Sequence, residues 1–249
     1  MKLIKNFRSP NYDLRRNKDI SFIIIHYTAL ENCKEAISYL CDPINKVSSH
    51  FVISQTGSIY NLVNENKRAW HAGISFWNGC KDINSLSIGI ELDFSDNKNN
   101  NTYSKKMIDS LINLIIYLKN KYNIENTNIL GHSEISPFRK QDPGPKFPWK
   151  ALDNKNISYK INTQFNLKKI KLKKWFLKNN IRSRIQITKF ILSIIGYNTI
   201  DLKNKKNSMT KLIAVYQARF MINYTPGKID NCTVNFLFNH LLNILLTKK

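Results

Sequence analysis

The pattern of apolar and polar positions divides the chain into two regimes. Up to about residue 150, strand-like and helix-like periods alternate; beyond it only the helical period recurs. The run Ser21-Phe22-Ile23-Ile24-Ile25-His26-Tyr27 is β-branched and unbroken, which predicts a buried strand ending at His26. Ala36, Ile37, Leu40 and Cys41 fall at helical spacing within 33–41, and Pro43 stops that helix. Apolar runs at 50–54 and 58–63 flank Gln55-Thr56-Gly57, a hairpin pattern. Residues 86–94 alternate and then run apolar, so they predict a strand in which Glu91 faces away from Ile90 and Leu92. Met107, Ile108, Leu111, Leu114, Ile115 and Leu118 give a one-faced helix of about five turns over 103–122. A strand at 126–132 then leads into His132. Residues 1–20 read as an extended lead-in, 68–80 as a loop and 95–102 as a solvated loop. Alternating strands and helices predict an α/β domain with a mixed central sheet flanked by helices.

After Trp149 the composition shifts. Residues 153–166 are polar and read as a connection, and 168–175 are strongly basic. Helical patterns follow near 184–196, 208–223 and 230–246, with Gly196 and Gly227 as stops or turns. The expected division is therefore a domain over 1–153 and a small all-α, three-helix domain over 165–249. A length of 249 residues leaves room for both, and 42% hydrophobic residues exclude a disordered chain.

The net charge of +22 favours acidic surroundings: nucleic acid, anionic lipid or anionic cell-wall polymer. Neither a zinc finger nor the aromatic signature of an RNA-recognition module is present, so a nucleic-acid role would rest on charge alone. The four cysteines, Cys33, Cys41, Cys80 and Cys232, form no CxxC pair and suggest free thiols. The first ten residues carry charge but no apolar core of a signal peptide, and no stretch is long and apolar enough to span a membrane. As written, the chain is expected in the cytoplasm, with the periplasm as the alternative if the sequence is trimmed or export is non-standard.

The candidate chemistry gathers at 129–149. His132 follows a short apolar strand, and Asp142 precedes Pro143-Gly144-Pro145. Both are competent zinc ligands, and His26 at the mouth of the buried strand supplies a third. Three protein ligands with one open position are the composition of a catalytic zinc site rather than a structural one. Lys140, two residues before Asp142, places positive charge nearby. Glu91 in a central strand is costly to bury without a partner. Arg68, Trp70, His71 and Trp77 in the 68–80 loop are groups suited to gripping a sugar and a peptide. His50 is read as a packed or hydrogen-bonded histidine.

His26-Tyr27-Thr28, Val47-Ser48-Ser49-His50-Phe51, Arg68-Ala69-Trp70-His71-Ala72-Gly73, Ile88-Gly89-Ile90-Glu91-Leu92 and the 131–149 loop occur in one order. In that order they resemble the zinc-dependent N-acetylmuramoyl-L-alanine amidases, with greatest likeness to the anhydro-muramyl-L-alanine branch. The resemblance covers about residues 20–152. It implies an amidase and peptidoglycan-recognition-like fold, and Zn2+ on His26, His132 and Asp142. It implies hydrolysis of the amide between N-acetylmuramic acid, or its 1,6-anhydro form, and L-alanine, in cell-wall turnover or recycling. Glu91 is then the general base, Lys140 the stabiliser of the oxyanion, and Trp70, His71 and Arg139 contact peptidoglycan or a muropeptide. Phage-type relatives carry Tyr where Ser49 stands, which puts more weight on Glu91, and Cys where Asp142 stands, which fits the anhydro-muramyl branch. Some relatives have lost a ligand and only bind peptidoglycan; here all three positions are filled. Ile194-Ile195-Gly196-Tyr197, Ala214-Val215-Tyr216-Gln217-Ala218-Arg219-Phe220 and the 227–233 segment resemble a three-helix peptidoglycan-binding domain, with Tyr216-Gln217 in place of that family's Phe-Gln.

Overall fold

In the computed structural model, residues 2–16, 19–96, 102–163, 166–200, 202 and 207–247 are described. The first part of the chain forms β1 (Leu3–Ile4), β2 (Tyr12–Leu14), β3 (Phe22–Tyr27), α1 (Cys33–Cys41), β4 (Phe51–Ile53) and β5 (Ile59–Asn61). It continues with β6 (Lys67–Ala69), α2 (Ile83–Leu86), β7 (Ser87–Leu92), α3 (Lys105–Tyr122), β8 (Ile129–Gly131), α4 (His132–Ile135) and α5 (Trp149–Asp153). The remainder is helical: α6 (Asn166–Lys178), α7 (Arg184–Ile195), α8 (Ser208–Phe220) and α9 (Asn231–Thr247).

Six strands pair in the order β1-β5-β4-β7-β3-β8. β3 lies between β7 and β8, parallel to both, and Ile23, Ile24 and Ile25 are buried. That is why β3 reads as an unbroken apolar run: a parallel strand covered on both faces has no solvent side to mark with polar residues. β4 is parallel to β7 and antiparallel to β5, so the sheet is mixed. β1 and a separate ladder of β2 on β6 give the lead-in and the start of the 68–80 loop more order than their polar sequences predict. These strands are only two or three residues long, too short to display a period.

The alternation of side chains sorts the sheet into two faces. Ile23, Ile25, Phe51, Ile53, Ile88, Ile90 and Leu92 pack with Met107, Leu111, Leu114, Ile115 and Leu118 of α3. Burying each such side chain contributes about 1.5–3 kcal/mol, so this face anchors the domain. α3 starts where the Ser104 hydroxyl accepts the Met107 N–H at 3.1 Å, and ends at Asn123 in the left-handed region. On the opposite face, Val52 packs with Ile37 and Leu40 of α1. Ile24, His26, Gly89 and Glu91 occupy the alternate positions of β3 and β7, and His26 pairs in register with Glu91. Two titratable side chains thus meet at the carboxyl ends of parallel strands, the usual place for a site in such a sheet.

The chain divides into two compact units. The first runs to Ser75 and resumes over Lys81–Tyr159, so its core takes in Ile157 as well as Trp149 and Leu152. The second joins Phe76–Cys80 to the chain from Lys160 onward. Within it, Trp77 packs edge-on against Tyr197 at 4.8 Å, and the Asn78 N–H donates to the Gly196 carbonyl at 2.8 Å.

Among the described residues the second unit holds four helices, where three were expected; the addition is α6, in the basic stretch. Among its described side chains only Phe176 is buried, edge-on to Phe190 and Phe238 at 5.3 Å each. One buried position leaves no apolar stripe for periodicity to detect. The Gln217 side chain holds the 227–233 turn, donating to the Lys228 carbonyl at 3.0 Å and the Thr233 hydroxyl at 2.9 Å and accepting the Gly227 N–H at 2.8 Å. Among the described residues, no helix is long and apolar enough to cross a membrane.

Candidate metal centre and the cleft around it

Three chain segments converge on one point. His26 ends β3, His132 opens α4 directly after β8, and Asp142 lies on the loop that follows. The Ser133 N–H donates to the Asp142 carbonyl at 2.8 Å and draws that loop back against α4. The Nδ1 atoms of His26 and His132 are 2.9 Å apart, and each is 3.0 Å from Asp142 Oδ2. His132 Nε2 lies 3.1 Å from the Ala72 carbonyl, which can only accept; Nε2 therefore carries a proton, and Nδ1 is the nitrogen turned toward His26 and Asp142.

All three side chains are buried. Burial, with His132 beside it, pushes His26 down to about 4, so its imidazole is neutral at pH 7. Burial alone would raise Asp142, but His132 and His26 outweigh it and hold the carboxyl well below the usual carboxylate range. A carboxylate oxygen and two imidazole nitrogens thus crowd around one point. Atoms each about 2 Å from one ion must lie within about 4 Å of one another, and these do. The group is competent to hold one metal ion.

A cleft of about 420 Å³ opens over this group. Ala36, Tyr39, Leu40 and Val47 give it an apolar wall, and Trp70, His71, Glu91, Arg139, Lys140 and Gln141 are among its other lining residues. Glu91 Oε2 is buried with no hydrogen-bond partner among the described residues. Burial first, then Asp142, push the Glu91 carboxyl up to about 8, against the pull of Lys140. Because this value lies above the 4.5 of a free glutamate, Glu91 contributes stability to the metal-free protein while it is protonated. That contribution of Glu91 is lost as pH rises from about 4.5 through 8. Glu91→Gln is therefore expected to raise the Tm of the metal-free protein at pH 8.5 by a few degrees and to leave it nearly unchanged at pH 4.5. Thermal scans at both values check this; an equal shift at both would show that ionisation is not the cause.

A family model described as N-acetylmuramoyl-L-alanine amidase matches residues 16–145, just over half of the chain and every residue of this cleft. The chain belongs to the N-acetylmuramoyl-L-alanine amidase family. It is 36% identical over 151 residues to the N-acetylmuramoyl-L-alanine amidase AmiD of Escherichia coli, an alignment covering 55% of this chain and 54% of that protein. It is 34% identical over 163 residues to the 1,6-anhydro-N-acetylmuramyl-L-alanine amidase AmpD of Haemophilus influenzae, covering 58% of this chain and 88% of that one. The chain spans about half the length of most of the curated relatives it matches. Among solved structures, E. coli AmiD in complex with the substrate anhydro-N-acetylmuramic acid-L-Ala-D-γ-Glu-L-Lys matches with a TM-score of 0.74 at 26% identity. That match covers 96% of this chain and 91% of the other. AmpDh3 of Pseudomonas aeruginosa matches with a TM-score of 0.73 at 26% identity, over 92% of each chain.

In this amidase-family chain the structure gathers most of the residues that the sequence singled out, but not Arg68, which pairs with Asp13 and Asp82, nor Trp77, which packs on Tyr197. Trp70, His71, Glu91, Arg139 and Lys140 line the same cleft as His26, His132 and Asp142. Two have inward engagements as well. The Arg139 guanidinium donates to the Ala72 and Ile74 carbonyls at 2.8 and 3.1 Å, tying that loop to the loop of Asp142. His71 is buried, with Nδ1 3.0 Å from His26 Nε2 and Nε2 3.1 Å from the Ser87 hydroxyl. His50 lies outside the three-residue group, its Nδ1 accepting the Gly89 N–H at 3.0 Å.

Sequence reasoning missed Ser87, Gly89 and Asn84. A Cβ at Gly89 would come within 2.5 Å of the His71 ring, so only glycine lets that ring lie on the sheet. A glycine inside an apolar strand is the signal that marks such a close approach. Asn84 Oδ1 accepts the N–H groups of His71 and Ala72 at 3.1 and 2.8 Å, which fixes the loop over the strand; nothing local in the sequence indicates that pairing.

Proposed function

We propose that the first unit hydrolyses the amide between N-acetylmuramic acid, or its 1,6-anhydro form, and the L-alanine of a peptidoglycan stem peptide. Zinc would be held by His26, His132 and Asp142. The observation that carries this reading is the convergence of three ligand atoms in one cleft with Glu91, whose Oε2 is buried with no hydrogen-bond partner among the described residues. Two imidazoles and one carboxylate suit zinc, and three protein ligands are the number found in catalytic rather than structural sites. When bound, the ion supplies Lewis acidity toward a carbonyl and toward water.

The remaining chemistry belongs to the chain. Glu91, raised by burial, is poised to take a proton from the attacking water and deliver it to the departing amine of alanine. Amides hydrolyse slowly because that amine leaves only when protonated, so the same carboxyl serves both halves of the reaction. Lys140 places its charge in the cleft, where negative charge develops on the carbonyl oxygen. Trp70 and the Tyr39 side of the cleft offer flat and apolar surface to a sugar or peptide. The substrate named for the matching AmiD structure, an anhydro-N-acetylmuramyl peptide, supports this choice of substrate class. Chelation of the purified protein is expected to stop turnover of such a peptide, and zinc to restore it at one ion per chain. Turnover unaffected by complete removal of metal would refute the zinc reading.

For the second unit, we infer a role in holding the chain on anionic cell-wall polymer. Support comes from the likeness of its last three helices to a peptidoglycan-binding domain and from the exposed lysines of α6. Lys168, Lys171, Lys173, Lys174 and Lys178 are all exposed, and the helix contains no acidic residue. Attachment raises the effective concentration of a catalytic unit on a polymer but does nothing for a small soluble substrate. Replacing Lys168, Lys171, Lys174 and Lys178 together by glutamine is expected to weaken retention on isolated sacculi. It should leave the rate on a soluble muropeptide unchanged. Undiminished retention, measured by co-sedimentation, would remove α6 from that role.

A further inference from the structure

His71 is among the residues expected at the substrate, yet both of its ring nitrogens face protein atoms. The hydrogen bonds around it have only one consistent direction. The Ile83 carbonyl can only accept, so the Ser87 hydroxyl, 2.6 Å away, spends its single proton there. Ser87 Oγ is then an acceptor toward His71 Nε2 at 3.1 Å, and His71 carries its proton on Nε2. A neutral imidazole has one N–H, so His71 Nδ1 is left as an acceptor for His26 Nε2 at 3.0 Å. The proton of His26 therefore resides on Nε2, and its Nδ1 keeps a lone pair turned toward His132 Nδ1 and Asp142 Oδ2.

We propose that Ser87 and His71 form a relay that sets the tautomer of His26, which makes His71 a positioning residue for the metal site. His132 reaches the same tautomer by one bond to the Ala72 carbonyl. At the end of β3, His26 Nε2 engages no carbonyl among the described residues, and the relay supplies the acceptor through a second imidazole. The surroundings hold that imidazole in place. Its ring lies against Gly89, where a Cβ would meet it at 2.5 Å, and its backbone N–H is held by Asn84 Oδ1 at 3.1 Å. Ser87 heads β7 while Ile83 opens α2, so the relay runs from the short helix through the strand start to the end of β3. Metal-ligating histidines generally need such a partner on the far nitrogen, and its loss typically costs 10–100-fold in metal affinity.

This inference rests on the reading of His26 as a metal ligand, and the test separates the two. In the full-length metal-free protein at neutral pH, ring 15N shifts report which nitrogen of His26 is protonated, whether or not the protein is an active amidase. The wild-type protein is expected to show the Nε2–H form of both His26 and His71. His71→Phe keeps a ring of similar size but removes the acceptor. It should give His26 a mixture of tautomers and weaken zinc binding, measured by chelator competition, by about 10–100-fold. Ser87→Ala removes one oxygen and should shift both readouts in the same direction, whereas Ser87→Thr keeps the hydroxyl and should restore them. Ser87→Ala carries the test alone if His71→Phe does not fold. A His26 that keeps its Nε2–H form and its zinc affinity in Ser87→Ala and His71→Phe would overturn the relay. A wild-type protein with the expected tautomers but no zinc binding would leave the relay standing and remove the metal reading.

Discussion

Asp142→Ala is expected to empty the metal site and reduce amide hydrolysis by more than about 10³-fold, because the ion is asked for several kcal/mol of charge stabilisation. Asp142 is the one carboxylate of the His26, His132 and Asp142 group, with Oδ2 3.0 Å from the Nδ1 atoms of both histidines. Without it, two lone pairs 2.9 Å apart face each other with no negative charge to compensate a cation. Asp142→Asn keeps the shape and one oxygen but not the charge, and should fall between the two. Zinc content by atomic emission and the rate on a defined muropeptide are the paired readouts. A metal-free Asp142→Ala protein with full activity would rule out the ligand assignment.

Glu91→Gln is expected to keep the metal and lose turnover, by about 10²–10⁴-fold in kcat. Glutamine preserves the size of the side chain and its place opposite His26 in the β3–β7 register. It cannot accept a proton from water and pass it on. The loss should therefore fall on kcat, with zinc occupancy unchanged. A drop of less than tenfold would point to another base in the cleft. The raised stability of this variant in the metal-free state at high pH is the other face of the same property: a carboxylate kept without a partner for its chemistry costs stability.

How much of this was legible in the sequence depended on which physical signal each part carries. β3 and α3 were legible because burial leaves a long trace, an unbroken β-branched run in one and a 3.6-residue period in the other. The set His26, His132 and Asp142 was legible from residue types at strand ends, together with five motifs in a fixed order. The direction of Glu91 followed from strand alternation alone. β1, β2 and β6 were not legible, since two- and three-residue strands are stabilised by pairing with distant segments rather than by their own composition. Helix α6 escaped because its single buried aromatic leaves charge all around. The inward engagement of His71 was invisible for a different reason. It depends on Ser87 and on Gly89, whose motif carries no sign of His71, and both meet that ring only once β7 lies under the loop.

The central claim is that this cleft cuts the amide next to L-alanine. Mass spectrometry of the products from a purified anhydro-N-acetylmuramyl peptide, incubated with the zinc-loaded protein, tests it most directly. The account predicts two products, free anhydro-N-acetylmuramic acid and a peptide with an N-terminal alanine, whose masses sum to that of the substrate plus one water. Recovery of intact substrate, or of fragments cut within the peptide or at the sugar ring, would contradict it.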